Sequence, residues 1–597
     1  MKRLLACVLF LIIVDGFSNL LYAQSADRLF VQVVIPEEDT LVYSGKRIRI
    51  NGSTLPEAEV SVNGEDVFVY PNGAFATRVE LEEGDARIHV LAMMGDSTAE
   101  QIFTILRPTD PEPIPAQSQI ITNREQIPKN DIWLKKGDPL RVQFQGSSGE
   151  DVFFQFKGDR TRYPMTELPP EHADGKVGVY AANWIVDESE FMDWAPLIVS
   201  MDKGWLRYEE REMDVKVRLN GLPRVGEVIS DRAYLNIGMG QDRLGGARYG
   251  SLHAGVRLNI VGQKNNTYNV KLSGDRSAWI PANQVQLLPQ GVSPVHAQVE
   301  NIIAFGRKTI DVVSLQLNER IPYTSRQVID PNQIVIDLWG ATSNINWNAL
   351  RKSARGIKKV EWEQVADQHI RLRIHLNQKV HWGYDVAYTK SNKLEIRVNR
   401  PPVLSSKKRP LKGVRIALDV GHGGENKGAL GSTGLTEKEI NLQLAKSLRL
   451  ELEKRGANVL LTRTRDTTLT MREREQLITG FNSQLMLSIH ANSAGLASNP
   501  ITTKGTGVFF KHEAFKPLAE VLYSHMLELD LPPYGITGSF NFTLNGMTEV
   551  PNVLLETAFM SNPEEEILLS DAAFQAKVSR RIVKALEQYI REKNGYN

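Results

Sequence analysis

The sequence predicts a multidomain chain: several N-terminal all-β modules followed by a C-terminal α/β domain with a largely parallel central sheet. Three observations predict this. The chain has 597 residues, too many for one core, which sets an expectation of about three to five domains. Up to Gly413 the pattern is short alternating strands broken by turn residues; beyond it, strands alternate with helices. In that last part three apolar runs, VRIALDV, LMLSI and VPNVLL, end at or just before His422, His490 and Glu556. In an open α/β sheet, side chains just past the carboxyl ends of neighbouring strands converge on one crevice.

Composition excludes some classes. Hydrophobic residues make up 42% and charged residues 24%, as in ordinary globular proteins, and a net charge of +1 gives no support for a nucleic-acid partner. The N-terminus reads as a signal peptide over residues 1–23: MKR, then the apolar LLACVLFLIIV, then LLYAQ with a small residue at Ala23. Asp15 interrupts the run, leaving it short for a membrane span. Export through a cleaved signal, to the periplasm or cell envelope, is the expectation. The single cysteine, Cys7, falls inside the signal. The mature chain then has no disulfide, and any metal must be held by His, Asp or Glu.

Residues 28–106 show period-two strands separated by NG and GD pairs and resemble the immunoglobulin-like sandwiches of secreted bacterial proteins. Residues 107–130 begin with RPTDPEPIPAQ and read as a Pro-rich linker. Residues 131–225 are β-rich, with no fold assignable from pattern. Residues 226–290 carry LHAGVRLNIVGQ, TYNVKLS and AWIPANQV in an order that resembles a bacterial SH3-type barrel, with Tyr268 and Trp279 as core-filling aromatics. Residues 295–400, from TIDVVSLQL to KLEIRVN, resemble the AMIN domain that targets cell-wall amidases to the envelope. Residues 401–413, ending SSKKRPLKG, read as an exposed linker. The remaining stretch, 414–593, is the α/β domain.

Within it, helices are expected over Glu437 to Arg455, Met471 to Phe481, Phe515 to Leu529 and Ala572 to Arg591. The first has Thr436 and Glu439 in capping-box spacing, Ile440, Leu444, Leu448 and Leu452 along one face, and Gly456 as its stop. His422 sits between glycines that permit a tight turn. A Gly-rich phosphate loop fits less well, because the helix begins well downstream of the glycines, and His490 taken alone is most simply a core residue. Two histidines at equivalent strand ends, with Glu556 at a third, supply imidazole ligands and a carboxylate for proton handling, as a catalytic zinc site requires. Whether Glu437 or Glu439 would serve as a third ligand stays open on these grounds. A glutamate in a helix's first turn complements the dipole, and Glu439 already has a capping role.

Taken together, VGHGG, GLTEKEINL, LTRTRD, SIHAN and PNVLLETAFMSNPEEE resemble the zinc-dependent N-acetylmuramoyl-L-alanine amidases of the Amidase-3 type. The resemblance implies that His422, Glu437 and His490 are the metal ligands, Zn2+ the cofactor, and Glu556 the catalytic glutamate. It implies peptidoglycan as substrate, cleaved between N-acetylmuramic acid and L-alanine, in cell separation or wall turnover. Envelope or divisome proteins are candidate partners of the β-modules. Val420 departs from the usual proline, and FNFTLNG, near Asn541, departs from the family pattern. The short segment between GVFF and the last strand leaves little room for an inserted autoinhibitory helix, which implies an open groove. Two other readings are a zinc carboxypeptidase-like amide hydrolase, with Arg463 and Arg472 as candidate carboxylate docks, and a non-catalytic wall-binding adaptor.

Overall fold

The structure is a computed structural model and describes residues 28–108, 121–202, 208–240, 244–274 and 276–595. The expected signal peptide, with Cys7, lies outside these residues. Among the described residues no helix is long and apolar enough to cross a membrane.

The first module is two sheets face to face. One contains Val31–Ile35, Arg47–Thr54 and Ala74–Glu80; the other has five strands, including Gly84–Met94 and Ser97–Arg107. Alternate residues, among them Ile48, Ile50, Phe75, Ile88, Val90 and Ile105, fill the space between the sheets. Arg47–Thr54 breaks the alternation, because Arg49, Asn51 and Ser53 are buried as well, on its outward face.

Residues 121–219 form a second core around Phe144, Phe154, Phe156 and Tyr180. The strand Ile121–Ile127 lies in the stretch that reads as linker and pairs antiparallel with Pro139–Gly146. It is an edge strand, which is why ITNREQI carries so few apolar residues. The SH3-like and AMIN-like stretches, separable by pattern, are joined by packing. Leu258 and Ile280 of one share a continuous core with Ile336 and Ile374 of the other.

The boundary before the last domain is exposed over much of 403–409, as its composition suggests, but it is pinned on both sides of that span. Pro401, Pro402 and Pro410 are buried, and Leu411 is fully enclosed in the core of the α/β domain. Trp382, from the preceding β-module, enters the same core with its ring 5.9 Å from that of Tyr589. Lys and Ser set the composition of this stretch, but a few prolines and one leucine suffice to anchor it.

Elements of the α/β domain are numbered separately here: β1 Arg415–Val420, α1 Glu437–Lys454, β2 Asn458–Leu461, α2 Met471–Gly480, β3 Leu485–Asn492, β4 Thr506–Phe509, α3 Lys516–Leu527, β5 Pro533–Thr537, β6 Asn552–Phe559, α4 Pro563–Ser570 and α5 Ala572–Lys593. The strand order is β2-β1-β3-β6-β4-β5. Neighbours are parallel except β6 and β4, which are antiparallel, so the sheet is mixed. Because β-strand side chains alternate, Ile416 and Leu418 face the core beneath α1, α3 and α5, while Ala417 and Met486 meet Ile478 of α2 on the other side. Helix α4 was not expected. Its start is marked by Asn562, whose side chain accepts from the Glu565 N–H, with Pro563 and three glutamates in its first turn.

Candidate active site

β1 ends at Val420 and the chain turns sharply. His422 has φ 60°, a left-handed conformation unusual for a residue with a side chain, which persists because the surrounding bonds hold it. Two buried arginines hold that turn. Arg474 of α2 donates to the carbonyls of Val420 (2.6 Å) and His422 (2.7 Å), and Arg463 donates to those of Val420, Gly421 and Lys438. Arg474 also pairs with Asp419 at 2.8 Å, and Ser488 Oγ donates to the other Asp419 oxygen at 2.6 Å. Burial alone would push the Asp419 carboxyl up, but Arg474 and Ser488 outweigh it and hold the group below its usual range.

The structure brings His422, Glu437 and His490 together, with one donor atom from each lying within 4.8 Å of the others. His422 Nε2 is 3.0 Å from Glu437 Oε2, and His490 Nδ1 is 2.9 Å from Glu437 Oε1. On the far side of its ring, His422 Nδ1 meets Asn426 Oδ1 at 2.9 Å, which fixes the tautomer that leaves Nε2 facing inward. Glu437 is nearly enclosed and also accepts from the N–H groups of Ala429 and Ala491 and from Asn441 Nδ2. Burial opposes its charge, yet the bonds from His422 and His490 keep its carboxyl well below the usual range. For His422 burial works downward, and Glu437 more than reverses it.

Two glycines make this convergence possible. A Cβ on Gly421 would lie 2.5–2.7 Å from three atoms of the His490 ring, and one on Gly428 would lie 2.5 Å from Glu437 Oε2. Glu439 points elsewhere: its Oε2 accepts from Thr436 N–H and Oγ1, completing the capping box that its spacing indicates. Glu556 on β6 is in register with His490 on β3, its side chain half-buried. Glu556 is thus on the strand next to His490, and it is not among the donors that lie within 4.8 Å of one another.

Two imidazoles and a carboxylate in one crevice form a donor set that zinc takes, and three protein donors are the number found in catalytic zinc sites. Other residues that pattern singled out do different things. Arg463 is spent on backbone carbonyls, and the exposed Arg472 faces Asp231 at 3.6 Å, so neither is a ready carboxylate dock. Asn541 is bonded to Lys511 and to the carbonyls of Leu244 and Gly246 in the SH3-like stretch. Asn426, Asp419 and Arg474 carried no signal in the sequence, since nothing about an isolated Asn, Asp or Arg marks it as a bonding partner four or fifty residues away. Glu566 was equally silent; its buried carboxylate accepts from Ser432 and Thr433 and so holds the loop before Glu437.

Comparison with known proteins points to this domain. The sequence profile of the N-acetylmuramoyl-L-alanine amidase family matches residues 416–588. A probable cell wall amidase, LytH, of Staphylococcus aureus is 34% identical over 188 residues, which is 31% of this chain and 62% of that protein. The chain thus spans less than two thirds of these curated relatives. The catalytic domain of CwlV, an N-acetylmuramoyl-L-alanine amidase from Bacillus (Paenibacillus) polymyxa var. colistinus, is 31% identical and covers 30% of this chain and 97% of its own, with a TM-score of 0.27. An N-acetylmuramoyl-L-alanine amidase from Clostridium difficile 630 is 26% identical, covering 31% of this chain and all of its own, with a TM-score of 0.29. The relationship rests on sequence and not on those superpositions. Through residues 416–588, which contain His422, Glu437, His490 and Glu556, this chain belongs to the N-acetylmuramoyl-L-alanine amidase family.

Proposed function

We propose that this chain is an exported zinc-dependent amidase that cleaves peptidoglycan between N-acetylmuramic acid and L-alanine, in cell separation or wall turnover. The observation that carries the reading is the grouping of His422, Glu437 and His490 within 4.8 Å, with Glu556 in register beside it, inside the segment that matches the family. These three residues would hold a zinc ion. When bound, the ion supplies Lewis-acid polarisation of the scissile carbonyl and of a water molecule. Glu556 takes the proton from the attacking water and returns it to the departing amide nitrogen. Asn426 keeps His422 in the tautomer whose Nε2 faces the centre, and Arg474 and Arg463 keep its strained turn from relaxing. The β-modules ahead of the enzyme suit an insoluble polymer, because tethered weak binding raises the local substrate concentration.

The test is incubation of the protein with peptidoglycan sacculi, with and without a chelator, followed by mass analysis of the products. Release of intact stem peptides that begin with L-alanine, abolished by chelation and restored by zinc, is expected. Loss of single C-terminal residues would indicate a carboxypeptidase-like hydrolase instead. Wall binding with no products would indicate an adaptor.

A further inference from the structure

The outward face of the strand Arg47–Thr54 in the first sandwich is polar, yet it is buried on the α/β domain. Asn51 is fully enclosed, and its Nδ2 donates to Ser432 Oγ at 2.8 Å and to the Ser561 carbonyl at 2.9 Å. Arg49 donates its backbone N–H to the Leu496 carbonyl at 2.7 Å and Nη2 to Ser493 Oγ at 3.2 Å. The neighbouring strand Val31–Ile35 pairs no further along than Asn51, which leaves the Arg49 N–H free on that edge for the loop to use.

The positions of these acceptors matter. Ser432 lies in the loop that delivers Glu437, Ser493 and Leu496 follow His490 at the end of β3, and Ser561 follows Glu556 at the end of β6. The loops are further tied to one another: the Ala494 N–H donates to Ser561 Oγ at 2.8 Å, and the Ser432 N–H to Glu566 at 2.9 Å. Two side chains of one strand therefore bond all three loops that carry the site. Adhesion between the domains does not account for them. Val34 and Ile35 already pack on Leu430 and Leu496, and buried polar side chains are a costly adhesive unless every atom is bonded. Asn51 Oδ1 and Arg49 Nε and Nη1 have no hydrogen-bond partner among the described residues.

We infer that Asn51, assisted by Arg49, is a positioning residue for the catalytic cluster, supplied by the N-terminal sandwich, so that the sandwich is part of the working site. This rests on the amidase reading above. Loops that follow strands are the mobile parts of a scaffold, and a metal site requires its donors to be held within about 0.5 Å of their working geometry. An enclosed amide that bonds two loops at once sets their separation.

The test uses the full-length chain and the variants Asn51→Leu, Ser432→Ala, their double mutant and Glu37→Gln. Zinc affinity is measured by competition with a chromophoric chelator, kcat and KM on a soluble muropeptide, and folding by thermal melting. Asn51→Leu should weaken zinc binding about tenfold and lower kcat more than it raises KM. Ser432→Ala should act in the same direction, and the double mutant should be no worse than Asn51→Leu, because the two share one bond. Glu37, exposed and 3.7 Å from Lys427, meets the loop before Glu437 only through a solvent-exposed ion pair, which holds little, so Glu37→Gln should match the wild type. If Asn51→Leu does not fold, Ser432→Ala carries the test, since it removes one hydroxyl and keeps the backbone bond to Glu566. Unchanged zinc affinity and kcat with a lowered melting temperature would overturn the inference in favour of adhesion, and a rise in kcat would overturn it in favour of a cover. If the wild type cleaves no muropeptide, the amidase reading fails, and the zinc measurements still decide the positioning role.

Discussion

At the residue scale three glutamates in and around the site are given different work by their surroundings. Glu437 lies between two imidazoles, Glu439 closes a capping box, and Glu556 stands one strand away from His490. Glu437→Ala should lose zinc, because it removes the charge at the centre of the donor set. Glu556→Ala should keep zinc and lose about 10²–10⁴-fold in kcat, the usual worth of a general base. Glu439→Ala should cost on the order of 1 kcal/mol of stability and leave turnover intact. Metal content and kcat on the three variants decide it, and retained zinc in Glu437→Ala with lost zinc in Glu439→Ala would reverse the assignment. His422, His490 and Glu556 were legible as candidates because each follows an apolar run. The fixing of His422 by Asn426 was not, because a loop's path is set by its bonds and not by a period.

At the element scale, the turn from β1 to α1 is where sequence and chemistry meet. Its glycines were legible as a tight turn, but their reason is clearance for neighbours distant in the chain. Gly421→Ala places a methyl group against the His490 ring, with which β3, not the turn itself, is built. The variant should fold with near-normal far-ultraviolet circular dichroism and bind zinc at least about tenfold more weakly. Normal zinc affinity would show that the ring has room to retreat. The helices α1, α2, α3 and α5 follow their apolar spacing closely, whereas α4 is short and its apolar residues too few for a period, so no spacing marked it.

At the scale of the whole molecule, the α/β domain is held from several sides. Trp382 sits in its core, Arg232 of the SH3-like stretch pairs with Glu475 and Glu549, and the Tyr384 N–H donates to the Thr548 carbonyl at 2.7 Å. A fragment beginning near Lys412 should fold but melt below one beginning near Gln378, which retains Trp382. In the full chain Trp382→Ala should cost about 3–5 kcal/mol. Equal melting of the two fragments would mean that Trp382 only fills space. The same junction predicts acid sensitivity. Burial pushes both His381 and His512 down to about 4, so each stays neutral in the folded chain while the unfolded chain takes up a proton below the ordinary histidine value. Between about 6.5 and about 4 the unfolded state binds more protons, so stability is full above this window and falls as pH falls through it. Urea midpoints at about pH 7 and about pH 5 should show that loss, and His512→Gln should show a smaller one. An equal loss in both proteins would place the sensitivity elsewhere.

The sequence by itself determined what depends on neighbours along the chain. Period-two runs gave the β-modules, the change of period after Gly413 gave the α/β domain, and strand ends gave His422, His490 and Glu556. The tertiary structure decided what depends on which face meets which partner. Glu437 and Glu439 are two residues apart on a helix that turns about 100° per residue, so they point roughly 200° apart, and only the docking of α1 on the sheet turns Glu437 inward. The same holds for Asn51. Alternation places it on the outward face of its strand, where a polar residue is ordinarily solvated, and only the packing of the sandwich on the three loops buries it beside the site.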